Sequence, residues 1–231
     1  MPSCVKDSVN SKVIFGKGEG MSLTSYEGIP LVQQYSHTSW GYTIDINGDG
    51  KDDIQFRSED IGSAGVGHDI VTELNCLSEN IALLGDIINQ EKYLHISSSL
   101  YTEDSIWWVN VVSKTYTCEQ IAETDSVVST TEKLTNIDHN PSDSYGLDDT
   151  FMSTKVILKN RSYDYPCGSE TIENVTYHYM IHDNNNCDFF PMEVEKYIGF
   201  KITENDKDRL GWMKVILHHD YVELMETAIQ K

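Results

Sequence analysis

The stretch Tyr42-Thr43-Ile44-Asp45-Ile46-Asn47-Gly48-Asp49-Gly50-Lys51-Asp52-Asp53-Ile54-Gln55-Phe56 sets oxygen-bearing side chains at alternate positions between two short apolar runs. Asp45, Asn47 and Asp49 take positions 1, 3 and 5 of a calcium loop, and Gly50 takes the sharp turn. Lys51 offers its backbone carbonyl, and Asp53 falls at position 9, which ligates directly or through water. A helix-loop-helix calcium hand needs a bidentate Glu at position 12, where this chain has Phe56. The flanks Tyr42–Ile44 and Ile54–Phe56 are rich in β-branched and aromatic residues, which favour strands. The expectation is therefore a connection between two strands that binds Ca2+ through Asp45, Asn47, Asp49, Lys51 and Asp53.

Strand signals continue along the chain. Val13–Phe15, Gly41–Asp45, Asp53–Arg57, Glu79–Leu84, Gly85–Ile88, Ile106–Val112, Lys155–Lys159, Thr176–His182, Tyr197–Ile202 and Trp212–His218 are short and separated by Gly, Asn, Asp or Ser clusters. In Thr176–His182 and Trp212–His218 each face collects its own set of side chains, the period of a sheet with one buried side. Leu77–Asn89 and Cys118–Thr124 are candidate helices, although Gly85 sits badly in the first. The glycine-rich run Gly62–Gly67 lacks the Lys of a nucleotide loop and reads as a flexible connection. The polar interval around Asp125–Thr150 reads as an excursion loop. The expected fold is all-β: an antiparallel two-sheet sandwich, jelly-roll-like, with a long central insertion. Residues 1–12 would form an N-terminal tether. Residues 13–231 would form a single sandwich domain with the insertion around 113–190.

Seventeen Lys plus Arg against 37 Asp plus Glu give a net charge of -20 over 231 residues. Such a surface repels nucleic-acid phosphates and anionic lipids and draws divalent cations. Thirteen Tyr and four Trp are too much ring surface for a disordered acidic chain. No apolar run reaches the roughly 18 to 20 residues of a membrane-spanning helix, and Met1–Asn10 lacks the apolar centre of a signal peptide. Cysteine usage and the loop together suggest an oxidising compartment, so the protein is expected to be secreted or at the cell surface. The pairings proposed are Cys167 with Cys187, which closes a short loop across two strand-like segments, and Cys76 with Cys118 on proximity alone, four cysteines allowing three connectivities. Cys4 would suit a lipid anchor and give the only membrane attachment.

The order of the metal loop, Glu79-Asn80-Ile81-Ala82-Leu83-Leu84-Gly85-Asp86-Ile87-Ile88, Tyr197-Ile198-Gly199-Phe200-Lys201-Ile202, Gly211-Trp212-Met213-Lys214-Val215 and Val222–Ala228 resembles a group of secreted bacterial proteins. They share an early D-x-N-x-D-G-x-x-D loop and a late Y-I-G-F…G-W hairpin. The likeness covers the two ends of the chain and leaves out Trp107–Cys187. It implies a β-sandwich, export and calcium, and no reaction.

Tyr197, Phe200 and Trp212 flank a polar turn and are expected in the core. Trp40, Trp107 and Trp108 are the candidates for stacking on a sugar, because neighbours on a strand point to opposite sides. His178, His182 and the pair His218-His219 supply two ligands each where zinc needs three or four, so they read as sheet histidines. Glu193, Glu195, Asp183 and Asp188 include pairs that would suit glycoside hydrolysis, yet acids are so frequent here that no catalytic residue is assigned. Two functions follow. One is an exported, calcium-stabilised, non-catalytic module that binds glycan or a surface protein. The alternative is an extracellular polysaccharide hydrolase.

Overall fold

A computed structural model describes residues 12–30, 40–63, 67–103, 107–118, 126–153, 155–162, 165–172, 175–185, 190–218 and 221–231. Cys4, Cys187, Asp188, His219 and residues 119–124 of the second candidate helix lie outside them. Among the described residues there is no helix, and the protein is all-β.

The strands are β1 (Val13–Ile14), β2 (Met21–Pro30), β3 (Trp40–Ile44), β4 (Ile54–Ser63), β5 (Gly67–Cys76), β6 (Ile81–Leu84), β7 (Asp86–Glu103), β8 (Trp107–Thr117) and β9 (Ser126–Asn136). They continue as β10 (Ser144–Tyr145), β11 (Phe151–Met152), β12 (Val156–Ser162), β13 (Tyr165–Ile172), β14 (Val175–Asn185), β15 (Glu195–Glu204), β16 (Lys207–Leu217) and β17 (Val222–Gln230). A six-stranded sheet has the order β11-β6-β15-β16-β17-β2, and a four-stranded sheet the order β12-β5-β4-β3. A five-stranded sheet, β13-β14-β8-β7-β9, contains the parallel pair β14 with β8; the pair β1-β10 stands apart.

The six-stranded sheet is buried on both faces, and the alternation of its residues says which face each serves. Ile198, Phe200 and Ile202 of β15, with Met213, Val215 and Leu217 of β16, point into one core. Facing them are Ile44, Ile54, Phe56 and Leu74 of the four-stranded sheet, with Val156 and Leu158, so the two sheets form a sandwich. The intervening residues Tyr197, Leu210 and Trp212 turn to the opposite face and join Val13, Phe15, Met21 and Tyr145. One extra residue in β17, Met225, shifts the pairing with β16 between Lys214 and Val215. That bulge changes parity, so Val222 and Leu224 share the sandwich core with odd-numbered Ile229.

Phe200 lies opposite Gly211. A Cβ on Gly211 would stand 2.4 Å from the Ala228 carbonyl oxygen and 2.4 Å from the Phe200 ring. The Tyr145 hydroxyl donates to the carbonyl oxygens of Phe200 and Gly211, tying β10 across both strands. Burial pushes its ionisation far above the ordinary range, so it stays a donor.

Four expectations change. Leu77–Asn89 is not a helix: Ile81 and Leu83 alternate into the core, and a Cβ on Gly85 would stand 2.7 Å from the Asn136 carbonyl oxygen. Ser126–Asn136 is no loop, because it pairs with β7 from Asp86↔Asn136 to His95↔Ser126. Gly62 and Ser63 belong to β4 and Gly67 to β5, so this glycine run is largely strand. Cys76 does not pair with Cys118. Cys76 is a half-buried thiol at the end of β5, and Cys118, which is disulfide-bonded, follows β8 in a different sheet. The Cys167 side chain and Cys187 fall outside the described residues. Within the interval 113–190, β10, β11 and β12 pair with β1, β6 and β5.

Candidate metal centre

The expected metal loop closes the hairpin of β3 and β4, which pair from Trp40↔Ser58 to Ile44↔Ile54. It is held by its own acidic side chains. Asp45 Oδ1 accepts from the amides of Gly48 (2.7 Å) and Asp49 (3.2 Å), while Oδ2 accepts from Gly50 (2.8 Å). Asn47 Oδ1 accepts from Asp49 N at 2.9 Å, and Asp49 Oδ1 from Lys51 N at 2.9 Å. Gly48 and Gly50 have φ of 78° and 85°, the left-handed conformation that lets the chain fold around Asp45.

Asp53 is the clasp. Its Oδ2 accepts from Ile46 N at 3.0 Å, its amide donates to Ile44 O at 2.8 Å, and its carbonyl accepts from Leu77 N at 2.8 Å. The residue is only 4% exposed. Burial pushes its carboxyl above the ordinary range, and the negative charges of Asp45 and Asp49 add to that, against the backbone bonds from Ile46 and Asn47. An ionised Asp53 is therefore held against both desolvation and repulsion.

The loop also meets a second hairpin. Asn47 Nδ2 donates to Glu204 Oε1 at 2.6 Å, and Glu204 Oε2 is paired with Arg209. Between the loop and the β15–β16 turn lies a cleft of about 780 Å³ lined by Asn47, Asp49, Asp53, Glu204 and Asp206, among others. The sequence signal for Glu204 is weak: it ends an alternating strand, and nothing in its neighbours marks it as a partner of Asn47.

The donor set is all oxygen, which suits a hard divalent ion. Among the described residues, no three His, Cys, Asp or Glu side chains gather as a metal-holding group. Asp45 spends both carboxylate oxygens, and Asp49 its Oδ1, on backbone amides. A carboxylate has about four lone-pair sites, so these bonds leave acceptor capacity on each.

The other candidates are dispersed. Trp40 opens β3, and Trp107 and Trp108 open β8 opposite Glu103 and Thr102 of β7; their side chains lie outside the described residues. The same holds for His178, His182 and Asp183 on β14. Glu195 Oε2 pairs with Lys214 Nζ at 2.9 Å. Glu193 Oε2 lies 2.8 Å from His218 Nδ1, and Glu223 Oε2 lies 3.0 Å from Nε2 of the same ring. Burial alone would lower the His218 pKa, but these two carboxylates outweigh it and raise it. Tyr197, Phe200 and Trp212 are buried, at 6%, 0% and 1% exposure, so this aromatic set serves packing. Comparison with family models, with curated proteins and with solved structures gives no match to this chain.

Proposed function

We propose that this chain is a calcium-stabilised, non-catalytic β-sandwich module of an exported protein, and that it binds glycan. The observation that carries the metal part is the state of Asp53. A buried carboxylate, disfavoured by two neighbouring acids, closes a loop whose offered ligands are all oxygen. A bound divalent cation would reverse the sign of that balance, because the repelling carboxylates would then share a counter-charge. Asp45, Asn47, Asp49 and Asp53 would supply side-chain oxygen and Lys51 its carbonyl. The ion supplies charge neutralisation and fixes the β3–β4 connection against the β15–β16 turn through Asn47 and Glu204. Export and the calcium concentration of extracellular fluid go together in this reading.

Glycan binding is supported by the adjacent Trp107 and Trp108 of β8, the ring type that stacks on sugars, while the resemblance to secreted bacterial proteins supports export and calcium. The non-catalytic reading is supported by Glu193 and Glu195, two of the acids that suit hydrolysis, being held by His218 and Lys214.

Melting with calcium and with chelator tests the metal. Calcium at about a hundred times its dissociation constant stabilises the fold by roughly 2.7 kcal/mol. An identical curve in both conditions would remove the site. Screening the calcium-loaded protein against a glycan array tests the ligand: retention of a glycan family supports binding, and an empty array counts against it.

A further inference from the structure

Five basic side chains, Lys12, Lys17, Lys207, Arg209 and Lys231, line one cleft of about 870 Å³ between the start of β1, the start of β16 and the end of β17. The chain has only 17 Lys and Arg against 37 acids, so gathering five of them in one place opposes the charge of everything around it. Three acids also line the cleft, Glu19, Glu204 and Asp208. Two of these are already committed. Glu204 is paired with Arg209 and accepts from Asn47 at 2.6 Å. Asp208 accepts from the Thr203 hydroxyl at 2.6 Å and lies 3.7 Å from Lys201 Nζ. Lys12, Lys17 and Lys207, all exposed, have no ion-pair partner among the described residues.

We propose that this cleft binds an acidic oligosaccharide through its carboxylate or sulfate groups. The ligand class rests on the reading of a glycan-binding module, while the site uses no residue of the metal loop. The volume falls in the range of small-ligand sites, roughly 300 to 1,000 Å³, which suits a short saccharide segment and not a polymer face. Lysine ammonium groups are rotatable point charges that follow oxyanions spaced along a flexible chain. At physiological ionic strength the screening length is about 8 Å, so acidic surface farther than that from the cleft is largely screened there.

The test uses the full chain at physiological salt, titrated calorimetrically with four probes: a uronate trisaccharide, a sulfated disaccharide, a neutral trisaccharide and inorganic sulfate. Binding of either acidic saccharide, with the neutral one silent, is expected, and whichever binds names the anionic group. K17E with K207E should weaken that binding by about tenfold or more, with K17Q and K207Q giving a smaller loss. These side chains are exposed and have no ion-pair partner among the described residues, so both double variants should melt within a degree or two of the parent, on the order expected of surface changes. Neither acidic saccharide binding at millimolar concentration would overturn the proposal, as would equal binding of the neutral sugar or unchanged binding in K17E with K207E. Inorganic sulfate binding as tightly as the saccharides would overturn the saccharide assignment. Neutral glycan bound equally by parent and double variant would keep the module reading and discard this cleft. Repeating the titration in chelator separates the cleft from the metal.

Discussion

Two hairpins meet at the Asn47–Glu204 hydrogen bond, and they are closed in opposite ways. β15 and β16 are joined by Asn205 and Asp206 alone, with φ of 49° and 58°. Positive φ at both positions is the two-residue turn whose twist matches that of paired strands. The ladder runs unbroken from Glu195↔Ile216 to Glu204↔Lys207, and its apolar residues alternate between two cores. β3 and β4 are joined instead by residues 45–53, and that loop satisfies its amides with aspartate side chains. The short connection needs only backbone geometry and packing. The long one closes on carboxylate-to-amide bonds that gather Asp45, Asp49 and Asp53 in one loop.

Removing the packing from the first hairpin should have the largest effect. Phe200→Ala deletes a fully buried ring and should cost about 3–5 kcal/mol in chemical denaturation, with the calcium response unchanged. Next comes the metal: Asp45→Ala with Asp49→Ala should abolish the calcium-induced stabilisation of roughly 2.7 kcal/mol, leaving the hairpin of β15 and β16 intact. A smaller effect is expected from Asp53→Asn. A carboxyl raised in the folded state binds its proton more tightly there than in the unfolded chain. Stability in chelator should therefore fall as pH rises from the ordinary value of 3.8 through the folded one, and stay low above it. Asp53→Asn keeps an oxygen for Ile46 N, so it should flatten that fall and raise the melting temperature in chelator at neutral pH. A chelated melting temperature that rises with pH through this window would contradict the assignment. Smallest is Asp206→Gly, which places glycine at a left-handed position and should add about 0.5 kcal/mol.

The sequence made the first hairpin legible because its alternation is clean: Ile198, Phe200 and Ile202 on one side, Tyr197 on the other. The loop flanks were legible for the same reason, Ile44, Ile54 and Phe56 being core residues of β3 and β4. Leu77–Asn89 misled because two strands of different sheets, β6 and β7, are joined through Gly85 without a turn cluster. β9 is not legible in the sequence because its Ser, Thr and Glu residues carry no apolar alternation, and β7 supplies its ladder from a distance in sequence. The Cys76–Cys118 pairing failed because nearness along the chain said nothing about which sheet each cysteine would enter. The contact of Asn47 with Glu204 spans 157 residues, and the basic cleft joins residues near 12–17 with others near 207–231. No local pattern encodes either.

The placement of β17 between β16 and β2 sets an order of events in time. Tyr26 and Thr227, which share a hydrogen bond across that pairing, are 201 residues apart. During synthesis β2 emerges early with an open edge and waits for its neighbour until nearly the whole described chain has been made. The β15–β16–β17 meander closes only short loops and is the natural nucleus, whereas the capture of β2 must span the longest loop in the sheet. A ribosome-bound chain stopped before Val222 would lack the strand that bridges β16 and β2, and its unpaired edges would invite association with other chains.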